Sequence, residues 1–261
     1  MTVQSVLDYV NSLAPVFMKY DWDNVGLLCG RKTQPVNRIL VALDPFLSVC
    51  KEAAEIGADL IVTHHPLIFD PVKAVTDDNT IGESILFLAE HGIAAINAHT
   101  NLDCTPGGVN DTLAAVLDLQ NPEVLEPMGT DEQGRPYGLL RAGTVERQSL
   151  EAFLLHVKER LGTPVLRYVN GNAPVHRVAV GGGSCGGGLC EARDAGCDTF
   201  VTADIKYNQF WDAADMGINL IDAGHFYTEN PICTVLAEKL QAQFPETEVI
   251  LSRHRDCMRF F

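Results

Sequence analysis

The chain has 261 residues, of which 46% are hydrophobic and 20% charged, and this composition is that of an ordinary globular protein. Its 34 acidic and 19 basic residues give a formal net charge of −15. So acidic a chain is a poor match for a protein that binds nucleic acid or anionic lipid through a basic surface, and we expect neither partner. No apolar run approaches the roughly 18 residues of a membrane span, and no signal-peptide pattern precedes the first helix, so a cytoplasmic protein is expected.

Short apolar runs alternate with helical patterns along the whole chain. In the first half, strands are predicted at 38–44, 59–63 and 93–98, with helices at 3–13, 49–56 and 81–91. In the second half, strands are predicted at 137–145, 177–180, 199–202 and 218–222, with helices at 150–161, 189–195 and 206–216. Continuous Val, Ile, Leu and Ala runs between helices are typical of parallel sheets covered on both faces.

The two halves also resemble each other in sequence. EAAEIGADLIVT at 52–63 matches EARDAGCDTFVT at 191–202, and GIAAINAHT from 92 matches GINLIDAGH from 217. Any two βαβ units look somewhat alike, but matches in the same order favour duplication. We therefore predict an α/β fold of two similar units, 1–127 and 128–261, with largely parallel sheets packed face to face. A Pro- and Gly-rich surface link is expected at 119–135.

Polar side chains cluster where predicted strands end. His64 and His65 follow the second strand directly, Asp103 lies just past the third, and His225 and Glu229 follow the corresponding strand of the second half. Pro66 breaks the strand pattern, so that both adjacent imidazoles can turn into one crevice. Ligands of open α/β sheets bind at the carboxyl ends of the strands.

These three imidazoles and two carboxylates predict a metal site in the crevice between the units. Such donors suit two divalent ions of zinc, iron, manganese or cobalt, and a bridging water acidified towards hydroxide would serve as a hydrolytic nucleophile. A single histidine is more often structural than a ligand, and a lone Asp after a strand is usually a helix cap. The coincidence of five such residues at strand ends favours the metal site.

Other motifs leave two interpretations open. The glycine-rich loop 181–188 would cradle a phosphate through its backbone N–H groups or simply allow close backbone approach. The stretch DWDNVG at 21–26 is either a turn or part of a pocket wall. Lys206 is a candidate contact for an anionic substrate, and the alternative is a solvated helix start.

A family resemblance is carried by the segments WDNVGLLCG, GADLIVTHHPLIF, HTNLD with GGVND, and DIKY with INLIDAGH. Through these segments the chain resembles the NGG-one-interacting-factor-three-like family of dinuclear-metal proteins. Many members of that family are labelled GTP cyclohydrolase 1 type 2 homologues. The resemblance runs from Trp22 to Glu229. It implies a homohexameric ring with inward-facing metal sites. It also implies the same five ligands and a place for His99 beside them.

Two positions depart from the family pattern, since Ala203 replaces a glycine and Asn208 replaces a histidine. The chain also lacks the inserted middle domain of longer members. The predicted function is that of a metal-dependent hydrolase acting on a nucleotide or phosphoester, with His99 and Lys206 as catalytic candidates. The alternative is a metal-binding scaffold or interaction protein without turnover.

Overall fold

The computed structural model describes residues 1–260, which form two compact units. One unit comprises Met1–Leu102 and Cys233–Arg255, and the other comprises Asp103–Ile232 and the segment from Asp256 onward. The sequence predicts instead a single boundary between the two units, near residue 127. The difference arises because a strand near the carboxyl end returns to the sheet of the first unit.

Helices and strands alternate along most of the chain. The helices are α1 (Val3–Leu13), α2 (Leu47–Glu55), α3 (Thr80–Glu90), α4 (Thr100–Cys104), α5 (Val109–Val116), α6 (Leu150–Leu161), α7 (Leu189–Asp194), α8 (Tyr207–Met216), α9 (His225–Glu229) and α10 (Pro231–Gln243). The strands are β1 (Gly26–Cys29), β2 (Arg38–Ala42), β3 (Leu60–Thr63), β4 (Ala94–Asn97), β5 (Gln120–Val124), β6 (Gly129–Thr130), β7 (Pro136–Tyr137), β8 (Arg141–Gln148), β9 (Arg167–Val169), β10 (Val175–Val180), β11 (Thr199–Thr202), β12 (Asn219–Asp222) and β13 (Glu248–Leu251). None of these helices is long and apolar enough to pass through a lipid bilayer.

The first unit is built on a five-stranded sheet in the order β1-β4-β3-β2-β13. Strands β4, β3, β2 and β13 are mutually parallel, and β1 pairs with β4 in the antiparallel sense. Every residue of β3 and β4 is buried, which agrees with their uninterrupted apolar sequences. The carboxyl ends of β3 and β4 therefore lie side by side, and the polar segments that follow them begin at one edge of the sheet.

The second unit is built on a six-stranded sheet in the order β5-β8-β10-β11-β12-β9. Its centre, β10-β11-β12, is parallel, whereas β8, β5 and β9 run antiparallel to their neighbours. Val178 and Val201 belong to one buried apolar cluster, while Ala179 and Phe200 belong to another. Alternate residues thus face two cores, and the predicted α/β class with parallel strands is confirmed.

The sequence repeat corresponds to a structural repeat. Strands β2 and β3 pair as Ile39 with Leu60, and β10 and β11 pair as Val178 with Thr199, so both partners are displaced by the same 139 residues. Asp59 accepts hydrogen bonds from the backbone at the start of β2, and Asp198 does the same at the start of β10. Shared register and a shared carboxylate support duplication more strongly than class alone does.

Several local predictions need correction. The expected surface link at 119–135 contains β5 and β6, and β5 pairs with β8 as an edge strand of the second sheet. The strand expected at 137–145 is split into β7 and a longer β8. The loops expected around Asp103, and from His225 to Glu229, are instead the short helices α4 and α9.

Buried Glu52 on α2 fixes the segment that follows β13. Its carboxylate accepts hydrogen bonds from the Ser252 hydroxyl, the Arg253 backbone N–H at 2.9 Å and the Arg253 guanidinium at 3.1 Å. Burial alone would raise the pKa of Glu52. These hydrogen bonds lower the pKa by more than burial raises it, so the pKa lies below its ordinary value. The Glu52 carboxylate therefore accepts these hydrogen bonds in its ionised form in the folded protein.

We expect Glu52→Gln to lower the free energy of unfolding by about 1–3 kcal/mol at pH 7, because an amide replaces one of the acceptor oxygens. A group with a lowered pKa stabilises the fold above its unfolded pKa and loses that contribution as pH falls. The difference from the parent protein should therefore shrink below about pH 4. Denaturant titrations at several pH values measure it, and Glu55→Gln, which removes an exposed partner of the same arginine, is the control.

Candidate metal centre

Three histidines cluster at the carboxyl ends of β3 and β4. His64 and His65 follow β3, and His99 follows β4. Their ring centroids are 4.9 to 5.6 Å apart, and one ring nitrogen of each lies within 4.8 Å of those of the other two. Parallel pairing of β3 with β4 explains the cluster, because it aligns Thr63 with Asn97 and so brings the following residues to the same edge.

Each of these imidazoles is oriented through its Nδ1 atom. The acceptors are the Ala98 carbonyl for His64 at 3.0 Å, Asp44 for His65 at 2.7 Å and Asp23 for His99 at 2.7 Å. Carbonyl and carboxylate oxygens only accept, so Nδ1 carries the proton in all three rings. In the neutral tautomer the lone pair then lies on Nε2, which is the arrangement found in histidines that ligate metals.

The two orienting carboxylates are held in their ionised form. Burial raises the pKa of Asp23, but hydrogen bonds from His99 and Thr100 lower it to about 2. Burial also raises the pKa of Asp44, and bonds from His254 and His65 lower it well below the ordinary value. A permanently charged acceptor increases the basicity of the imidazole that it binds.

In the second unit, His225 and Glu229 occupy the two ends of the short helix α9. Their i, i+4 spacing places Nε2 of His225 2.9 Å from Oε2 of Glu229, and Nδ1 of His225 lies 2.7 Å from Oδ2 of Asp204. Burial lowers the pKa of His225, but the hydrogen bonds to Asp204 and Glu229 raise it to about 11. A cation between the two carboxylates is thus favourable, and a metal ion would replace the proton on Nε2.

Asp103 belongs to the same unit and is buried on α4. Asn110 anchors its backbone by donating to the Asp103 carbonyl, and the side-chain oxygen of Asn110 accepts from the N–H of Gly182. Burial raises the pKa of the Cys185 thiol, and the nearby carboxylates of Asp103 and Glu229 raise it further. The second unit therefore holds Asp103 and Glu229 around one protonated thiol.

The glycine-rich loop serves close backbone approach, and its N–H groups are used within the protein. Gly181, Gly182 and Gly183 donate to the Val201 carbonyl, Asn110 and Thr228 respectively. A Cβ on Gly183 would overlap Oε1 of Glu229, and φ at this residue is +63°. Of the two interpretations of this loop, the phosphate cradle is therefore the weaker, because the three donors are already engaged.

Comparison with known proteins identifies the family. The model of Duf34/NIF3 (NGG1p interacting factor 3) matches residues 1–257. The chain belongs to the Duf34/NIF3 family. A Clostridium perfringens relative named GTP cyclohydrolase 1 type 2 homolog is 34% identical over 258 residues, covering 97% of each chain. The NIF3 resemblance that the sequence motifs indicate is confirmed.

Solved structures show the same NIF3 fold. A Bacillus cereus protein related to NIF3 has a TM-score of 0.94 at 26% identity, covering 100% of this chain and 99% of its own. A Staphylococcus aureus protein has a TM-score of 0.92 at 31% identity with the same coverage. The match therefore extends over nearly the whole of both solved chains.

The remaining predicted residues of this NIF3 chain occupy diverse places. Lys206 is exposed immediately before α8, where its backbone N–H donates to Gln209, as expected for a solvated helix start. Asn208 is exposed and donates to Asp212 at 3.4 Å. Ala203 is buried, and its N–H donates to the Gly183 carbonyl, so that it fixes the glycine-rich loop to the end of β11.

Sequence reasoning missed the carboxylates that orient the imidazoles. Asp44 and Asp204 each lie two residues beyond a strand, and Asp23 lies in the stretch around Trp22. Asp204 adopts φ of +53°, a left-handed conformation that is uncommon for residues other than glycine. For Asp44 and Asp204, their position just after a strand was a sequence signal for a role at the site. Asp23 had no such signal, because its contact with His99 depends on a loop conformation.

The donors of this NIF3 chain fit divalent metal ions. Imidazole nitrogens with Nδ1 bound to oxygen, together with buried carboxylates, are the ligands that zinc, iron, manganese and cobalt accept. The structure thus contains groups of His, Asp and Glu side chains that could hold a metal ion.

We expect Gly183→Ala to lower the free energy of unfolding by about 1–2 kcal/mol from backbone strain alone, and by more if Glu229 has to move. Gly187→Ala is a matched control in the same loop, since a methyl group at that position would meet no atom within 4 Å. Thermal and denaturant unfolding of both variants measure the difference. Equal stabilities would show that the contact between Gly183 and Glu229 imposes no constraint.

Proposed function

We propose that the protein binds two divalent metal ions through His64, His65, Asp103, His225 and Glu229 and acts as a metal-dependent hydrolase. The observation that carries this proposal is the orientation of the imidazoles, each of which has Nδ1 bound to an oxygen acceptor. Metal-ligating histidines almost always have their other ring nitrogen bound in this way. His91 and His176 make the same kind of bond, so the clustering of His64 and His65 with His99 is the second observation that supports a metal site. The family membership supports the same ligand set.

The protein's own residues would divide the work. The three imidazoles and two carboxylates hold the ions and offset part of their charge. Divalent ions in such sites acidify water and polarise bonds to oxygen. His99, oriented by Asp23 beside His64 and His65, is placed to accept or return a proton, and exposed Lys206 is proposed as a contact for an anionic group of the substrate.

A nucleotide or phosphoester is the proposed substrate class. The name shared by the curated relatives, GTP cyclohydrolase 1 type 2 homolog, supports a nucleotide. The net charge of −15 would repel an anion at a distance, but metal ions would offset the carboxylates locally.

A homohexameric ring in the cytoplasm is proposed from the family resemblance. An apolar groove of about 400 Å³ in the second unit supports self-association, because exposed aromatic side chains line it and Tyr and Trp are enriched at protein interfaces. Tyr207 and Trp211 line it beside the edge strand β9.

Sedimentation should give six times the 28.4 kDa chain mass, and a monomer would contradict the ring.

Elemental analysis of protein purified without added metal should find about two ions per chain. His65→Ala should lose metal and the turnover that a screen of nucleotides, phosphoesters and cyclic amides detects. His91→Ala, which removes an exposed histidine at the end of α3, is the control. Full metal content and full turnover in His65→Ala would overturn the proposal, and firm metal retention without any turnover would favour a scaffold.

Asp44→Asn should weaken metal binding by about 10- to 100-fold, because an amide is a poorer acceptor for Nδ1 of His65 and no longer increases its basicity. Competition with a chromophoric chelator measures the change. Asp118→Asn is the matched control, since Asp118 also contacts a histidine, His156, that lies outside the cluster. Equal affinities in the two variants would show that Asp44 does not support a ligand.

A further inference from the structure

Exposed aromatic rings surround His99 in the first unit. Trp22 is 61% exposed and Phe69 is 48% exposed, although both are large apolar side chains. Their centroids lie 6.2 and 6.1 Å from the His99 ring, and Tyr20 stacks on Trp22 at 5.7 Å with an interplanar angle of 8°. We call Tyr20, Trp22 and Phe69 the aromatic platform.

Hydrogen bonds hold the loops that carry the aromatic platform. Asn24 donates to the Ile68 carbonyl at 2.7 Å, which ties the loop carrying Trp22 to the loop carrying Phe69. Asp23, between Trp22 and Asn24, accepts from His99 and from the backbone and hydroxyl of Thr100. Rings held in this way bind a partner without the entropy cost of ordering two loops.

The geometry favours a planar ring as the occupant. Tyr20 lies nearly parallel to Trp22, Phe69 and His99 meet it at 52° and 73°, and most of the Trp22 side chain stays exposed beside these neighbours. Aromatic rings gain from stacked and edge-to-face arrangements beyond simple burial. A further planar ring would extend the arrangement that the three residues already form.

Continuity with the histidine cluster favours a small molecule. One ring nitrogen of His99 lies within 4.8 Å of those of His64 and His65, both proposed metal ligands. A group stacked on the platform would therefore lie beside two of the proposed metal ligands, where the reacting part of a substrate is needed. A protein surface on the platform would instead cover the residues that the substrate has to reach.

We propose that the aromatic platform binds the planar heteroaromatic ring of the substrate and so sets the specificity of the site. The inference rests on the proposed function and names the substrate class for it. Trp22 and Phe69 act as specificity-determining residues, and the part of the substrate that extends from the ring would reach the proposed metal site.

The test uses the two tryptophans of the chain, Trp22 and Trp211. Trp211→Phe leaves Trp22 as the only indole, and Trp22→Phe leaves Trp211. Guanosine is the probe, because it carries a planar heteroaromatic ring without a phosphate that metal would bind, and ribose is its counterpart without that ring. Fluorescence titrations are run on the full chain before and after chelation of metal.

Guanosine should quench Trp22 saturably before and after chelation, ribose should not, and Trp211 should show no saturable change. Adding Phe69→Ala to the Trp211→Phe protein should weaken the apparent affinity by roughly 5- to 150-fold, as loss of one stacking partner does. Circular dichroism confirms folding, and Phe69→Tyr should restore affinity because it keeps the ring.

Absence of saturable Trp22 quenching, or equal quenching by ribose, would overturn the platform even if two ions per chain are found. Guanosine binding to unchelated protein that contains no metal as purified and takes up none would support the platform and overturn the metal proposal. A lower sedimentation mass for Trp22→Ala than for the parent would identify the aromatic platform as a contact between copies of the chain. This result too would overturn the proposal that the platform binds the substrate ring.

Discussion

A hydrogen bond from Nδ1 to a fixed oxygen determines what each imidazole at the strand ends can do. It fixes a proton on Nδ1, leaves Nε2 as the nitrogen that can bind a cation, and restricts rotation of the ring. Ala98, Asp44 and Asp204 supply that oxygen to His64, His65 and His225. Without these acceptors none of the three rings would have a fixed tautomer, and His64, which is buried, would also lack a partner for Nδ1.

The repeat supplies one framework for two different chemistries. Asp59 and Asp198 hold equivalent strand starts, and strand pairing follows the same register in both units. Beyond the equivalent strands, however, the first unit carries the His64–His65 doublet, and the second carries Ala203 and Asp204. In the second unit the carboxylate orients a histidine from the next strand end, so duplication preserved the scaffold while the strand-end residues diverged.

Local pattern predicted the fold class, the central strands and most helices, because buried parallel strands and amphipathic helices have clear periodicities. Strand β5 was missed because QNPEV is polar and contains Pro122, so that only its pairing with β8 makes it a strand. The unit boundary was missed for a related reason. Pairing of β13 with β2 joins residues more than 200 positions apart, and no local signal encodes such a contact.

The candidate ligands were predictable since they lie directly after strands, whereas their supporting residues were only partly so. Asp23 reaches His99 because the loop after the first helix folds back, and the orientation of that loop depends on tertiary contacts such as Asn24 with Ile68. Close approach of Gly183 to Glu229 likewise depends on the three-dimensional course of two segments. Sequence therefore indicated the candidate donors, and the geometry that orients them required the structure.

Return of β13 to the first sheet has a consequence for synthesis on the ribosome. The outer edge of β2 gains its parallel neighbour only when residues 248–251 emerge, long after β3 and β4 have been made. Until then the nascent sheet presents an open strand edge, the kind of surface that pairs with other chains. All six strands of the second sheet have already been translated by that point, so the sheet begun first is the last to gain its full set of strands.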